Sequence, residues 1–221
     1  MIVYFKMDES EGEVVYDSVT GGGVLVDGDD GYWDTEGDDI RFQKHTKGFR
    51  DDYAVQESSF IVTSDLNLNI PMDLELGEQY TFEAVVKYQG SIFVVEPMII
   101  MKVEGMFWIQ WDMQGIRLFF DDDDQDYGNG YGGLNTDEDM YYHIGFSRNG
   151  DELSFYQNIA QYVYPTTWTM NPQTTNVLTI SPAGRKLFLK NLRIWSKPLG
   201  LWDFIRTANQ YVFFLINFYF Y

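Results

Sequence analysis

The chain has 221 residues and a formal net charge of −19, from 34 acidic and 15 basic side chains, and it contains no cysteine. That balance argues against nucleic acid and anionic membrane surfaces, because phosphate binding depends on lysine and arginine neutralising phosphate. Without cysteine there is no disulfide framework, thiol nucleophile or thiolate metal site.

The length suits one domain. A hydrophobic share of 45%, with 18% aromatics, supplies an ample core. Alternating runs punctuated by Gly, Asn and Asp predict strands at 2–6, 39–42, 59–63, 80–88, 93–103, 106–113, 115–121, 140–148, 152–157, 160–164, 176–180 and 187–195. The opening MIVYFKMDES reads as the first of these and not as a signal peptide, since no basic segment or long apolar region precedes it. At 81–88, Phe82, Ala84 and Val86 oppose Glu83 and Lys87. At 107–113, Phe107, Ile109 and Trp111 oppose Trp108, Gln110 and Asp112, so one of the two tryptophans faces outward. One wet and one buried face mark antiparallel sheets.

Acidic, glycine-rich stretches at 27–39, 65–79, 121–139 and 166–175 read as loops. Between alternating runs, Asn149-Gly150 predicts a hairpin turn. From Leu201 onward, Leu201, Ile205, Ala208, Val212 and Leu215 fit one helical face, and the chain then becomes almost uniformly apolar as YVFFLINFYFY. As a helix that tail spans about 16 Å, short of the ~30 Å hydrocarbon core. As a strand it is an apolar edge that invites pairing with another chain. Val212, Phe213, Phe214, Leu215, Phe218 and Phe220 are therefore the candidate assembly residues.

Three segments carry a family resemblance. The first is Tyr141-Tyr142-His143-Ile144, followed by Asn149-Gly150 and then Leu153, Phe155, Tyr156 and Asn158. The second is VYFKMDESEGEVVYDSVTGGG near the start; the third is LFLKNLRIWSKPLG near the end, with Leu192-Arg193-Ile194-Trp195 and Leu199. Together they resemble the laminin-G-like, or concanavalin A-like, lectin–glucanase sandwich family over residues 2–205. Ile159 departs from the family's glycine and Lys190 from its aspartate. The resemblance implies an all-β, antiparallel two-sheet jelly-roll sandwich over 1–200. A short C-terminal helix and hydrophobic tail over 201–221 would serve docking or assembly. It also implies a packing role for His143 and a cell-surface, extracellular or virion-associated setting.

The functional expectation is a non-catalytic structural or interaction module that binds a protein or glycan surface and assembles with protein neighbours or with itself. Calcium-assisted glycan binding is the alternative. In DDDDQDYGNGYGG, Asp121, Asp122, Asp123, Asp124 and Asp126 cluster carboxylates of the kind Ca²⁺ takes among its 6–8 oxygen ligands. No EF-hand fits, since starting at Asp122 puts Tyr127 where glycine is needed and Gly133 where glutamate is needed. Tyr32, Trp33, Tyr127 and Tyr131, in glycine-rich acidic stretches, are candidates for stacking on a sugar. Glycoside hydrolysis is the second alternative. Asp73 and Glu75 share a parity, but Gly77 breaks the strand and Glu78 falls out of phase, so no catalytic residue is assigned. Membrane attachment is expected only if the chain continues into an anchor.

Overall fold

The structure is a computed structural model that describes residues 1–5, 14–25, 31–34, 59–89, 96–104, 106–112, 115–120, 131–134, 141–158, 160–165 and 173–208. Its strands are β1 (Val3–Phe5), β2 (Val14–Tyr16), β3 (Gly23–Leu25), β4 (Gly31–Asp34), β5 (Ser59–Val62), β6 (Leu66–Leu76), β7 (Gln79–Gln89) and β8 (Met98–Val103). There follow β9 (Phe107–Asp112), β10 (Gly115–Phe120), β11 (Tyr131–Leu134), β12 (Tyr142–Asn149), β13 (Glu152–Gln157), β14 (Ala160–Pro165), β15 (Gln173–Ser181) and β16 (Lys186–Trp195). A single helix, α1 (Leu201–Ala208), closes the described chain.

An eight-stranded antiparallel sheet runs β14-β13-β12-β7-β16-β5-β4, with β1 also paired to β16. A six-stranded antiparallel sheet runs β11-β10-β9-β8-β15-β6, and β2 pairs β3. The two large sheets stack through alternate residues. Phe82 of β7 and Phe146 of β12 lie parallel, with centroids 5.6 Å apart, and Phe107 of β9 meets both edge-on at 4.9 and 4.3 Å. Trp111 sits between Tyr88 and Tyr142 in the same core and is fully buried. Trp108 is half-exposed and lies flat against Phe119 on the opposite face, as the parity requires. The fold is the expected all-β two-sheet sandwich with a short C-terminal helix.

Local chemistry explains the turns. Gly150, at φ 61°, and Asp151 are the two residues between the paired Asn149 and Glu152. The turn therefore falls one residue later than Asn149-Gly150, and glycine in its first position matches a type II′ hairpin. At the base of that hairpin, Asn158 adopts φ 55°; its N–H donates to the His143 carbonyl at 2.7 Å and its Oδ1 accepts from the His143 N–H at 2.9 Å. A bulge in β16, with Asn191 at φ 52°, keeps Lys190 and Arg193 on the outer face.

Several expectations are corrected. Residues 65–79 are not a loop: Leu66 and Leu68 are buried and alternate with Asn67, so β6 is a strand in spite of Pro71. Strands β4 and β11 interrupt the acidic stretches, and β15 begins at Gln173. In α1 the fully buried residue is Phe204, with Leu201 and Ile205 only half-buried. The stripe facing the sheet is thus rotated from the one read through Leu201 and Ile205. The predicted strand at 39–42 and the tail at 209–221 lie outside the described residues. Among the described residues no helix is long and apolar enough to cross a membrane.

Candidate functional site

The outer face of the eight-stranded sheet is where alternation breaks down. Positions that should be wet carry Glu83, His143 and Arg193, all almost fully buried. α1 covers them. Glu83 Oε2 accepts from His143 Nε2 at 3.0 Å and from Thr207 Oγ1 of α1. Its Oε1 accepts from Trp195 Nε1 at 3.0 Å and from Arg193 Nη1 at 3.3 Å. The carboxylate can only accept, so Nε2 carries the histidine proton. Arg193 Nη1 also donates to the Thr207 carbonyl at 3.0 Å, and Nη2 donates to Tyr4 Oη at 3.1 Å.

Burial pushes the Glu83 carboxyl up, but the hydrogen bond and charge of His143, then Arg193 and Thr207, outweigh it and hold the group below the usual carboxylate range. Burial holds His143 below the usual imidazole range; Glu83 partly offsets this and Arg193 adds to it. His143 Nδ1 is buried without a hydrogen-bond partner. Above it, Phe204 stacks flat on the imidazole at 3.8 Å and on Tyr156 at 4.5 Å. Gly145 makes this approach possible: a Cβ there would stand 2.5 Å from the Phe82 carbonyl oxygen and 2.8 Å from Phe204 Cε2. His143 is sealed under Phe204, and Glu83 is closed off by Thr207, Arg193 and Trp195. The cluster anchors α1.

Beside the anchor, the segment leading into α1 folds back onto the sheet. Thr81 Oγ1 donates to the Lys197 carbonyl at 2.9 Å, and the Leu199 N–H is shared between the hydroxyl oxygens of Thr81 and Ser147, each at 3.0 Å. The Tyr156 hydroxyl donates to the Leu199 carbonyl at 2.5 Å. These bonds fix Pro198, Leu199 and Gly200 as one wall of a depression of about 190 Å³. Its floor and opposite wall are Ser147, Asn149, Glu152, Ser154, Tyr156 and Gln161, from β12, β13 and β14. Gln161 Nε2 donates to Ser154 Oγ at 3.0 Å, and Asn149 Oδ1 accepts from Gln79 Nε2 at 2.9 Å. The side chains of Asn149, Glu152 and Gln161 add amide and carboxylate groups to the polar residues of the lining. The set offers donors and acceptors held by a sheet, and its lining residues include one carboxylate and no histidine. Trp202, 76% exposed, stands two residues beyond Gly200.

The sequence-predicted residues fall elsewhere. Tyr32 and Trp33 lie on β4, opposite Ile61 and Phe60 at one edge of the eight-stranded sheet. Tyr131 lies on β11, opposite Leu118 at an edge of the six-stranded sheet. All three sit on strands and not in loops. Tyr127, Asp121, Asp122, Asp123, Asp124 and Asp126, and Val212, Phe213, Phe214, Leu215, Phe218 and Phe220, lie outside the described residues. Among the described residues no three carboxylate or imidazole groups are gathered as a metal site. Asp73 and Glu75 are on β6, which ends at Leu76; Glu78 falls in the exposed turn that follows, where its carbonyl accepts from the Gly150 N–H at 2.9 Å. The depression went unread in the sequence. Its signal was the polar run Ser147, Asn149, Glu152, Ser154 on consecutive same-face positions of the hairpin.

No family model and no curated protein matches this sequence. Solved structures match it in fold. The binding domain of botulinum neurotoxin serotype D superposes with a TM-score of 0.61 at 11% identity, covering 96% of this chain and 52% of that one. The serotype D ligand binding domain in complex with N-acetylneuraminic acid gives 0.62 at 10% identity, covering 96% and 51%. The type G receptor binding domain gives 0.58 at 12% identity, covering 95% and 51%. This chain spans about half the length of each. At such identity the likeness shows the fold, an antiparallel β-sandwich.

Proposed function

We propose that this chain is a non-catalytic recognition module that binds a glycan in the depression between the β12–β13 hairpin, β14 and the Pro198–Gly200 wall. One observation carries the reading: hydroxyl, amide and carboxylate groups converge on a rigid hollow from three adjacent strands, at the foot of a helix bearing an exposed tryptophan. Sugar hydroxyls need such paired donors and acceptors. A volume near 190 Å³ is below the 300–1,000 Å³ of drug-sized sites, which suits one terminal ring. Two similarities support it, without reaching residue level: the laminin-G-like sequence motifs, and the sandwich shared with receptor-binding domains, one of them solved with N-acetylneuraminic acid.

The test is a glycan array probed with the purified chain and with an Asn149→Ala/Gln161→Ala variant. Binding weakened at least about tenfold in the variant supports the site, since each hydrogen bond is worth about 0.5–1.5 kcal/mol. Absence of binding to any glycan at millimolar concentration rejects the reading. A parallel arm with chelator asks whether Asp121, Asp122, Asp123, Asp124 and Asp126 supply calcium to it.

A further inference from the structure

We infer that the depression selects an uncharged saccharide and disfavours acidic sugars. The inference rests on the reading of this hollow as a glycan site and names its ligand class.

The lining holds one carboxylate, Glu152, and no lysine or arginine. Asp151, also exposed, precedes it in the turn. Basic side chains near in sequence are not among the lining residues: Arg148 Nε donates to the Gly150 carbonyl at 3.0 Å, and the exposed Lys197 has its Nζ 5.9 Å from the centre of the Trp195 ring. Arg193 is buried beneath α1 against Glu83. A helix N-terminus attracts anions, and α1 begins just after Gly200, but Asp203 already brings a negative charge to its first turn. The polar groups left to a ligand are amides, hydroxyls and a carboxylate, which suit neutral hydroxyls. An acidic sugar would bring a second negative charge to Glu152, on a chain of net charge −19. Like charges about 4 Å apart cost a roughly fivefold loss of affinity in bulk water, equivalent to about 1 kcal/mol, and more where water is displaced.

The experiment uses immobilised glycans in matched pairs, each neutral oligosaccharide beside its sialylated derivative. The full chain and a Glu152→Gln variant are titrated at neutral pH and low salt. Glu152 is exposed and contributes to the fold through its backbone pairing with Asn149 and Pro165, which the substitution keeps, so the variant should melt with the parent. The expected result is a neutral member bound at least fivefold more tightly, with a narrower gap in Glu152→Gln. A sialylated member bound equally or better, or a gap that Glu152→Gln leaves unchanged, overturns the ligand class while glycan binding stands. If no pair is bound, the glycan reading fails and takes this inference with it.

Discussion

Gly145→Ala tests how α1 is held. The added methyl carbon meets the Phe82 carbonyl oxygen at 2.5 Å, Phe204 Cε2 at 2.8 Å and Glu83 Cβ at 3.1 Å. Phe82 belongs to the β7–β12 ladder, where it pairs with Phe146, so its carbonyl cannot retreat without breaking strand pairing. The ring of Phe204 is the softer neighbour and should move. Overpacking of this kind costs about 1–3 kcal/mol. If Phe204 leaves its site, a fully buried phenylalanine worth about 1.5–3 kcal/mol is exposed, and the Thr207 bond to buried Glu83 goes with it. We expect a loss of about 2–4 kcal/mol in urea unfolding followed by tryptophan fluorescence. In a double-mutant cycle with Phe204→Ala, the coupling should exceed about 1 kcal/mol, because the two side chains share one volume. A Gly145→Ala variant within about 0.5 kcal/mol of the parent, or strictly additive effects, would refute this packing argument.

Acid should destabilise the protein. His143 and Glu83 are both held below their ordinary pKa values of 6.5 and 4.5, so the unfolded chain binds more protons and stability rises with pH. The His143 contribution is complete above about pH 6.5 and declines as the pH falls through its lower folded value; that of Glu83 declines further down. Urea midpoints measured from pH 7.5 to 4 should fall, and His143→Gln should flatten the upper part of that fall. Asp17→Ala should cost about 2–3 kcal/mol, since this buried carboxylate accepts from the backbone N–H groups of Tyr4, Val19 and Thr20 and from the Thr20 hydroxyl; thermal melting reads it, and an unchanged melt would dismiss the turn as an anchor. If the apolar tail assembles the protein, ending the chain at Gln210 should lower the light-scattering mass to that of a monomer; equal masses would leave the tail without that role.

How much was legible depends on where apolar alternation tells the truth. In β7 and β9 the apolar residues of inward parity are all buried in the core, so the two sheets and the inward Trp111 could be read directly. β6 could not, because Asp65, Pro71 and Gly77 look like loop punctuation while its alternating Leu66 and Leu68 are spaced by asparagines. On the outer face of the large sheet, Glu83 was read as opposing the apolar residues of its strand, yet it is buried beside His143 and Arg193, since α1 lies there. Burial by a helix more than 50 positions away from His143 leaves no periodic trace in β12. The depression was hidden for the same reason. One wall comes from 198–200 and the other from the hairpin, and only the fold joins them.

Anchor and depression are one construction. Tyr156 serves both, with its ring beneath Phe204 and its hydroxyl holding the Leu199 carbonyl in the wall. Thr81 and Ser147 likewise secure Leu199 from the strands that carry Glu83 and Gly145. A buried ion pair is weak support for stability, because desolvation offsets its attraction, but it does specify position. Charge satisfied by His143, Arg193, Trp195 and Thr207 admits one placement of α1, and that placement sets where Pro198, Leu199 and Gly200 stand. Gly145→Ala should therefore weaken ligand capture in the depression although Gly145 lines none of it. Tyr156→Phe, which keeps the ring on Phe204 and removes the bond to Leu199, should weaken capture with much less loss of stability.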